Sequence, residues 1–179
     1  MSEAASSEAR RIVVVGVSGS GKTSLARRIG EHLGVPHADM DGFFHGPGWV
    51  RRPEAADEVA AFVAGDGWVT ERPYSEVTDV VFGRAQLVVW LDLPTWRTMS
   101  QVTRRTVSRR LRRTTLWHGN VEGPLWRVVT DPEHIIRWAW NTRNRYRQWP
   151  DELHADWPDL PVVRLRSHAE ADAWLASLD

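Results

Sequence analysis

Lys22 is the only lysine in a chain of 179 residues whose basic side chains are otherwise all arginine. It stands in Gly16-Val17-Ser18-Gly19-Ser20-Gly21-Lys22-Thr23, a complete GxxxxGK[ST] phosphate-binding loop. A sequence that places guanidinium groups so freely marks Lys22 as a site where a compact ammonium serves better than a planar fork. That ammonium can reach the β and γ phosphates of a nucleotide. Gly16, Gly19 and Gly21 let the backbone curl so that the amides of Ser18, Gly19, Ser20, Gly21, Lys22, Thr23 and Ser24 converge on an anion. Thr23 would add a hydroxyl for Mg²⁺.

Two acids follow at Asp39 and Asp41. In an extended segment residues two apart share a side, so both carboxylates would emerge together at the carboxyl end of a strand. One could hold Mg²⁺ and the other orient an acceptor hydroxyl, giving Asp39 to the metal and Asp41 to catalysis. The bland alternative is that Asp41-Gly42 only makes a turn. A third signal is positive charge: Leu93 to Val121 holds no acid but carries Arg97, Arg104, Arg105, Arg109, Arg110, Arg112 and Arg113. Arg105 and Arg109 fall on one helical face and could close over a triphosphate, so a lid is expected at about residues 104–122. A solvated helix face and a nucleic-acid patch are the competing readings. Asp92 reads as a cap for the helix entered at Pro94, and Glu71 as a weaker candidate acid at the end of a strand. The seven histidines show no metal-ligand spacing.

The elements that would position these residues alternate. Strand-like runs occupy Arg11 to Val15, His37 to Met40, Trp68 to Glu71, Leu87 to Asp92 and Pro161 to Leu165. Helical patterns fill Thr23 to Leu33, Pro53 to Ala64 and Pro94 to Arg113, a stretch opened by Asp131-Pro132-Glu133 and stopped before Pro150, and a last helix behind the capping box Ser167-x-x-Glu170. This alternation predicts an α/β fold with a parallel sheet between helical layers. Residues 1–10 lack the apolar core of a signal peptide and are expected to be a disordered tail, leaving 11–179 as one domain.

Composition narrows the function. Net charge is zero and the pI near 7, so no global field draws nucleic acid or membrane. Cysteine is absent, which excludes disulfides and thiolate chemistry and suits a cytoplasmic location. No stretch is long and apolar enough to span a bilayer. Eleven tryptophans outnumber the other aromatics; Trp68, Trp90, Trp138 and Trp140 are expected in the core or in helix packing.

The phosphate loop, Pro36-His-Ala-Asp-Met-Asp41 with Trp49 following, Trp68-Val-Thr-Glu-Arg-Pro-Tyr74, Val88-Val-Trp-Leu-Asp-Leu-Pro94, Leu116-Trp-His-Gly-Asn120, Ile135-Ile-Arg-Trp-Ala139 and Arg164-Leu-Arg-Ser167 stand in an order that resembles the P-loop kinases of the adenylate kinase-like superfamily. Within these the chain is most similar to the bacterial DNA topology modulation proteins. The resemblance implies a five-stranded parallel sheet in the order 2-3-1-4-5, ATP with Mg²⁺, and an arginine-bearing lid. It also implies Asp41 near the acceptor, and Arg166 with its neighbours near the adenine edge. One departure stands out: where members carry Asp-Gly-Asn-Tyr, this chain has Glu71-Arg72-Pro73-Tyr74, which loses an amide side chain and a backbone donor.

The function expected is an ATP-binding phosphotransferase acting on a nucleotide, nucleoside or small polyol, with residues from Phe43 to Trp49 lining the acceptor pocket. The alternatives are a nucleic-acid-associated regulatory ATPase, disfavoured by the neutral charge, and a nucleotide-binding protein of reduced activity.

Overall fold

The computed structural model describes residues 8–112, 135–144 and 149–178. Arg113, the Leu116–Asn120 motif, the far half of the expected lid and the Asp131-Pro132-Glu133 helix entry lie outside the described residues, as do residues 1–7.

Five parallel strands form one sheet in the order β2-β3-β1-β4-β5. They are β1 (Arg11–Gly16), β2 (His37–Ala38), β3 (Trp68–Glu71), β4 (Leu87–Leu91) and β5 (Val162–Leu165). β1 and β4 are buried on both faces, as their unbroken apolar runs require. Alternate side chains feed two cores. Ile12, Val14, Val89 and Leu91 point to one, where helix α1 (Lys22–Leu33) packs with Leu25 and Ile29, and α8 (His168–Ala176) with Ala171 and Leu175. Val13, Val15, Val88 and Trp90 point to the other, beneath α2 (Met40–Phe44), α3 (Ala55–Val63), α4 (Thr78–Phe82) and α7 (Trp149–Asp156). The result is a three-layer α/β/α arrangement.

Trp68 is fully buried, and its indole N–H donates to Val63 O at 3.0 Å, so the large apolar ring enters the core without an orphaned donor. Ser167 Oγ accepts from the Glu170 N–H at 3.1 Å, and Glu170 in return accepts from the Arg166 N–H. A cap of this kind contributes about 1 kcal/mol. The helix α5 (Thr95–Arg112) leaves β4 and packs against α6 (Ile135–Asn141).

Several expected boundaries move. β2 stops at Ala38, because the Asp39 carboxylate accepts from the Asp41 N–H at 3.0 Å and caps a helix at once. Asp39 and Asp41 are therefore not strand neighbours. Pro150 does not end a helix but sits in the first turn of α7, where its missing N–H costs nothing. The Asp92 carboxylate takes the Arg164 guanidinium from β5, with Nε at 2.9 Å, a partner the sequence pattern did not reveal. Ala9, assigned to the tail, is buried, and the Arg10 N–H donates to Gln86. Trp138 and Trp140 are about half exposed (45% and 51%), unlike Trp68 and Trp90.

Candidate active site

The loop after β1 does what its glycines permit. Gly19 and Gly21 adopt left-handed φ values of 80° and 92°, which side-chain-bearing residues resist. Gly21 caps α1 with no side-chain hydrogen bond, so the first amides of that helix are left for an anion. Gly19 is also a packing requirement: a Cβ there would lie 2.4 Å from Thr98 O and 3.0 Å from Val102 Cβ. The first turns of α5 thus rest directly on the phosphate loop. Arg105 follows Val102 by one turn and Arg109 by two, both half-buried, on the helix that the loop supports.

Lys22 is a quarter exposed, and its Nζ lies 3.7 Å from Glu71 Oε2. Glu71 ends β3 beside Val14 of β1, and this register brings it under the loop. Sequence reasoning ranked it low; the signal that could have raised it was an acid closing a buried strand adjacent to β1. Burial pushes the Glu71 carboxyl above its usual range, while the Lys22 ammonium and the nearby Thr23 hydroxyl pull it back. Its Oε1 is buried without a partner.

Asp39 and Asp41 complete an acidic group. Burial, then the nearby Glu71 and Asp41 charges, raise Asp39 to about 7. Asp41 Oδ1 accepts from the Tyr74 hydroxyl at 2.7 Å, and that phenol is raised by burial and by the same carboxylate. Pro73 replaces an amide in the resembled pattern, yet the Tyr74 hydroxyl still donates to Asp41.

Among the described residues no three acids or histidines form a preassembled metal cage. Mg²⁺ does not need one, since it usually takes one or two carboxylates and completes its shell with phosphate oxygens and water. Thr23, Asp39 and the orphaned Glu71 Oε1 are hard oxygen donors of that kind, so the residues fit the ion.

Arg166 faces a cavity of about 400 Å³ beside the loop, lined also by Val17, Asp92, Thr95, Thr98, Arg143 and Arg164. The ring of His168, two residues on, comes close to Gly21 and lies 2.9 Å from Gln101 Nε2. The segment after β5 therefore borders the loop as well as α5. Ser20 is fully buried with its hydroxyl unpartnered, while Thr23 and Ser24 are exposed at the start of α1.

No protein-family profile matches the chain, nor does any curated protein match it in sequence. Solved structures do match in fold. Shikimate kinase from Acinetobacter baumannii in complex with shikimate aligns with a TM-score of 0.56 at 17% identity, over 99% of this chain and 95% of that one. Shikimate kinase from Bacteroides thetaiotaomicron gives 0.51 at 14%, over 95% and 96%. A gluconokinase from Sinorhizobium meliloti 1021 gives 0.50 at 18%, over 93% and 90%. The expected strand order and three-layer fold are those observed. The nearer likeness to DNA topology modulation proteins rests on the sequence motifs alone.

Proposed function

We propose that this chain is an ATP-dependent phosphotransferase that moves the γ-phosphoryl group of ATP to a hydroxyl of a small acceptor. The observation that carries this reading is the convergence of Lys22, Glu71, Asp39 and Asp41 at the carboxyl edge of β1 to β3, under a loop shaped for phosphate. In an open α/β sheet that edge is where ligands bind. The fold neighbours named as kinases support the same reading.

In this proposal the amides from Gly16 to Ser24 and Lys22 hold the phosphates. Thr23 and Asp39, with Glu71, hold Mg²⁺, which when bound neutralises charge on the β and γ oxygens. Asp41, kept in place by Tyr74, orients the acceptor hydroxyl and takes its proton. Arg105 and Arg109 meet the charge that builds on the transferred group, and Arg166 borders the base. A nucleotide switch needs no acid such as Asp41 on the acceptor side. No helix among the described residues is long and apolar enough to cross a membrane, and the partners proposed are ATP and a small molecule. The proposed location is the cytoplasm.

Incubation with γ-labelled ATP and a panel of hydroxyl compounds tests this. Label transfer should vanish in Asp41→Asn while ATP binding stays within about threefold of the parent. Tight nucleotide binding with transfer to no compound would overturn it.

A further inference from the structure

On the Asp41 side of the cleft the chain between β2 and β3 folds back on itself. The Gly46 N–H donates to Val50 O at 2.8 Å, the Arg52 N–H to Phe44 O at 3.1 Å, and His45 bridges antiparallel to Arg51. Inside this closed turn two successive residues are left-handed, Gly48 at φ 70° and Trp49 at φ 63°. Glycine accepts that freely, whereas a bulky residue does so against steric resistance. Trp49 is also 42% exposed. It gains neither full burial nor an easy backbone from its position, and strain of this sort collects where a ligand is held.

A row of rings leads from Trp49 to the acceptor-side acid. Trp49 meets His45 edge-on at 5.8 Å, and His45 meets Tyr74 edge-on at 6.0 Å. Tyr74 packs on Phe44 at 4.4 Å and donates to Asp41. His45 Nδ1 is buried with no partner. The two arginines of the turn are already committed. Arg51 lies over the Phe44 and Tyr74 rings and pairs with Glu76 at 2.5 Å; Arg52 pairs with Glu54 at 2.9 Å and Glu58 at 2.5 Å. Three acids, Asp39, Asp41 and Glu71, stand at the inner end of the row.

We infer that Trp49, His45 and Tyr74 line the acceptor-recognition face, and that the acceptor is an uncharged ring compound that packs on the exposed Trp49 ring and presents a hydroxyl to Asp41. This deepens the phosphotransferase reading and rests on it. An anionic acceptor would approach three carboxylates, and both guanidinium groups of the turn are already paired with Glu76, Glu54 and Glu58; Arg72, between Glu71 and Tyr74 in sequence, is the cation that a preference for carboxylates would implicate. A neutral ring needs no such cation, because stacking supplies affinity without charge. Nucleosides and neutral pyranoses both offer an uncharged ring face that can pack on one indole. In the transfer the acceptor oxygen bonds to the γ phosphorus, the bond from that phosphorus to the β-γ bridging oxygen breaks, the hydroxyl proton passes to Asp41, and ADP leaves.

The test uses the full chain with Mg·ATP and mass detection of phosphorylated product. One arm offers uridine and adenosine, a second D-glucose and D-ribose, a third the carboxylates shikimate and D-gluconate. Calorimetry measures ATP binding separately. One of the neutral arms should exceed the carboxylates at least tenfold in kcat/KM. Trp49→Gly should raise the KM of that acceptor tenfold or more, leave the KM of ATP unchanged and keep or raise Tm, since it relieves the left-handed residue. Trp49→Phe should recover most of the loss. An unchanged acceptor KM in Trp49→Gly would overturn the inference. So would preferred transfer to a carboxylate, above all one abolished by Arg72→Ala, although that result would uphold the phosphotransferase. Absence of ATP binding would sink the phosphotransferase reading and this one together.

Discussion

Lys22 and Glu71 pair beneath the loop at the carboxyl edge of the sheet. At 3.7 Å and largely shielded from water, the pair holds the ammonium near the loop, where the proposed reading needs it for a phosphate. Arginine cannot reproduce this, because a planar fork is larger and seeks two acceptors, while Glu71 presents one oxygen to Lys22. Lys22→Arg should therefore lower ATP affinity or turnover at least tenfold while the thermal midpoint moves by no more than about 3 °C; calorimetry and a melting curve check both. Lys22 was legible from sequence because the motif fixes it by spacing. Glu71 was not, since its value depends on which strand lies beside β1, a fact of topology that no local pattern carries.

At the scale of elements, the join between α5 and the phosphate loop sets how the two can move. Gly19→Ala forces a left-handed alanine and a Cβ against Thr98 O, and should cost about 2–4 kcal/mol in urea denaturation. Gly34, also left-handed but open on all sides, should lose only about 1 kcal/mol as alanine. β2 carries its own signal in His37, half-buried and shifted down mainly by burial, with Nε2 lacking a partner. The neutral form is favoured in the fold, so the stability it gives is present above about pH 6.5 and lost as pH falls through the lowered value. Urea midpoints at pH 7.5 and pH 5 should differ by less in His37→Val than in the parent. Four strands were readable within one residue at each end because β-branched runs between turn signals are local. The short β2 was not, as capping by Asp39 overrides an extended reading of His37 to Met40.

For the whole molecule, the division of charge matters more than its sum. Acids gather beneath the phosphate loop and arginines along α5, so a neutral chain presents a polarised cleft. Chelation of Mg²⁺ by EDTA should abolish transfer and leave the circular dichroism spectrum unchanged, because the two cores that hold the sheet contain no metal ligand. A loss of secondary structure on chelation would contradict this. The layer order was readable in advance because strands alternate with helices. The proposed acceptor face was expected only as a segment, Phe43 to Trp49, since the ring-to-ring contacts depend on Tyr74, which lies beyond the whole of α3 in sequence.

The pairing of a single ε-amine with Glu71 also makes the protein its own chemical reporter. Apart from the α-amino group, an amine-acylating reagent has one place to react, at a side chain that is a quarter exposed. Modification at Lys22 should be stoichiometric in the free protein and suppressed at least fivefold by saturating Mg·ATP, so peptide mass mapping would give nucleotide occupancy from one residue. In Glu71→Gln the ammonium loses its ionic partner, and acylation of the free protein at a fixed pH should run faster than in the parent.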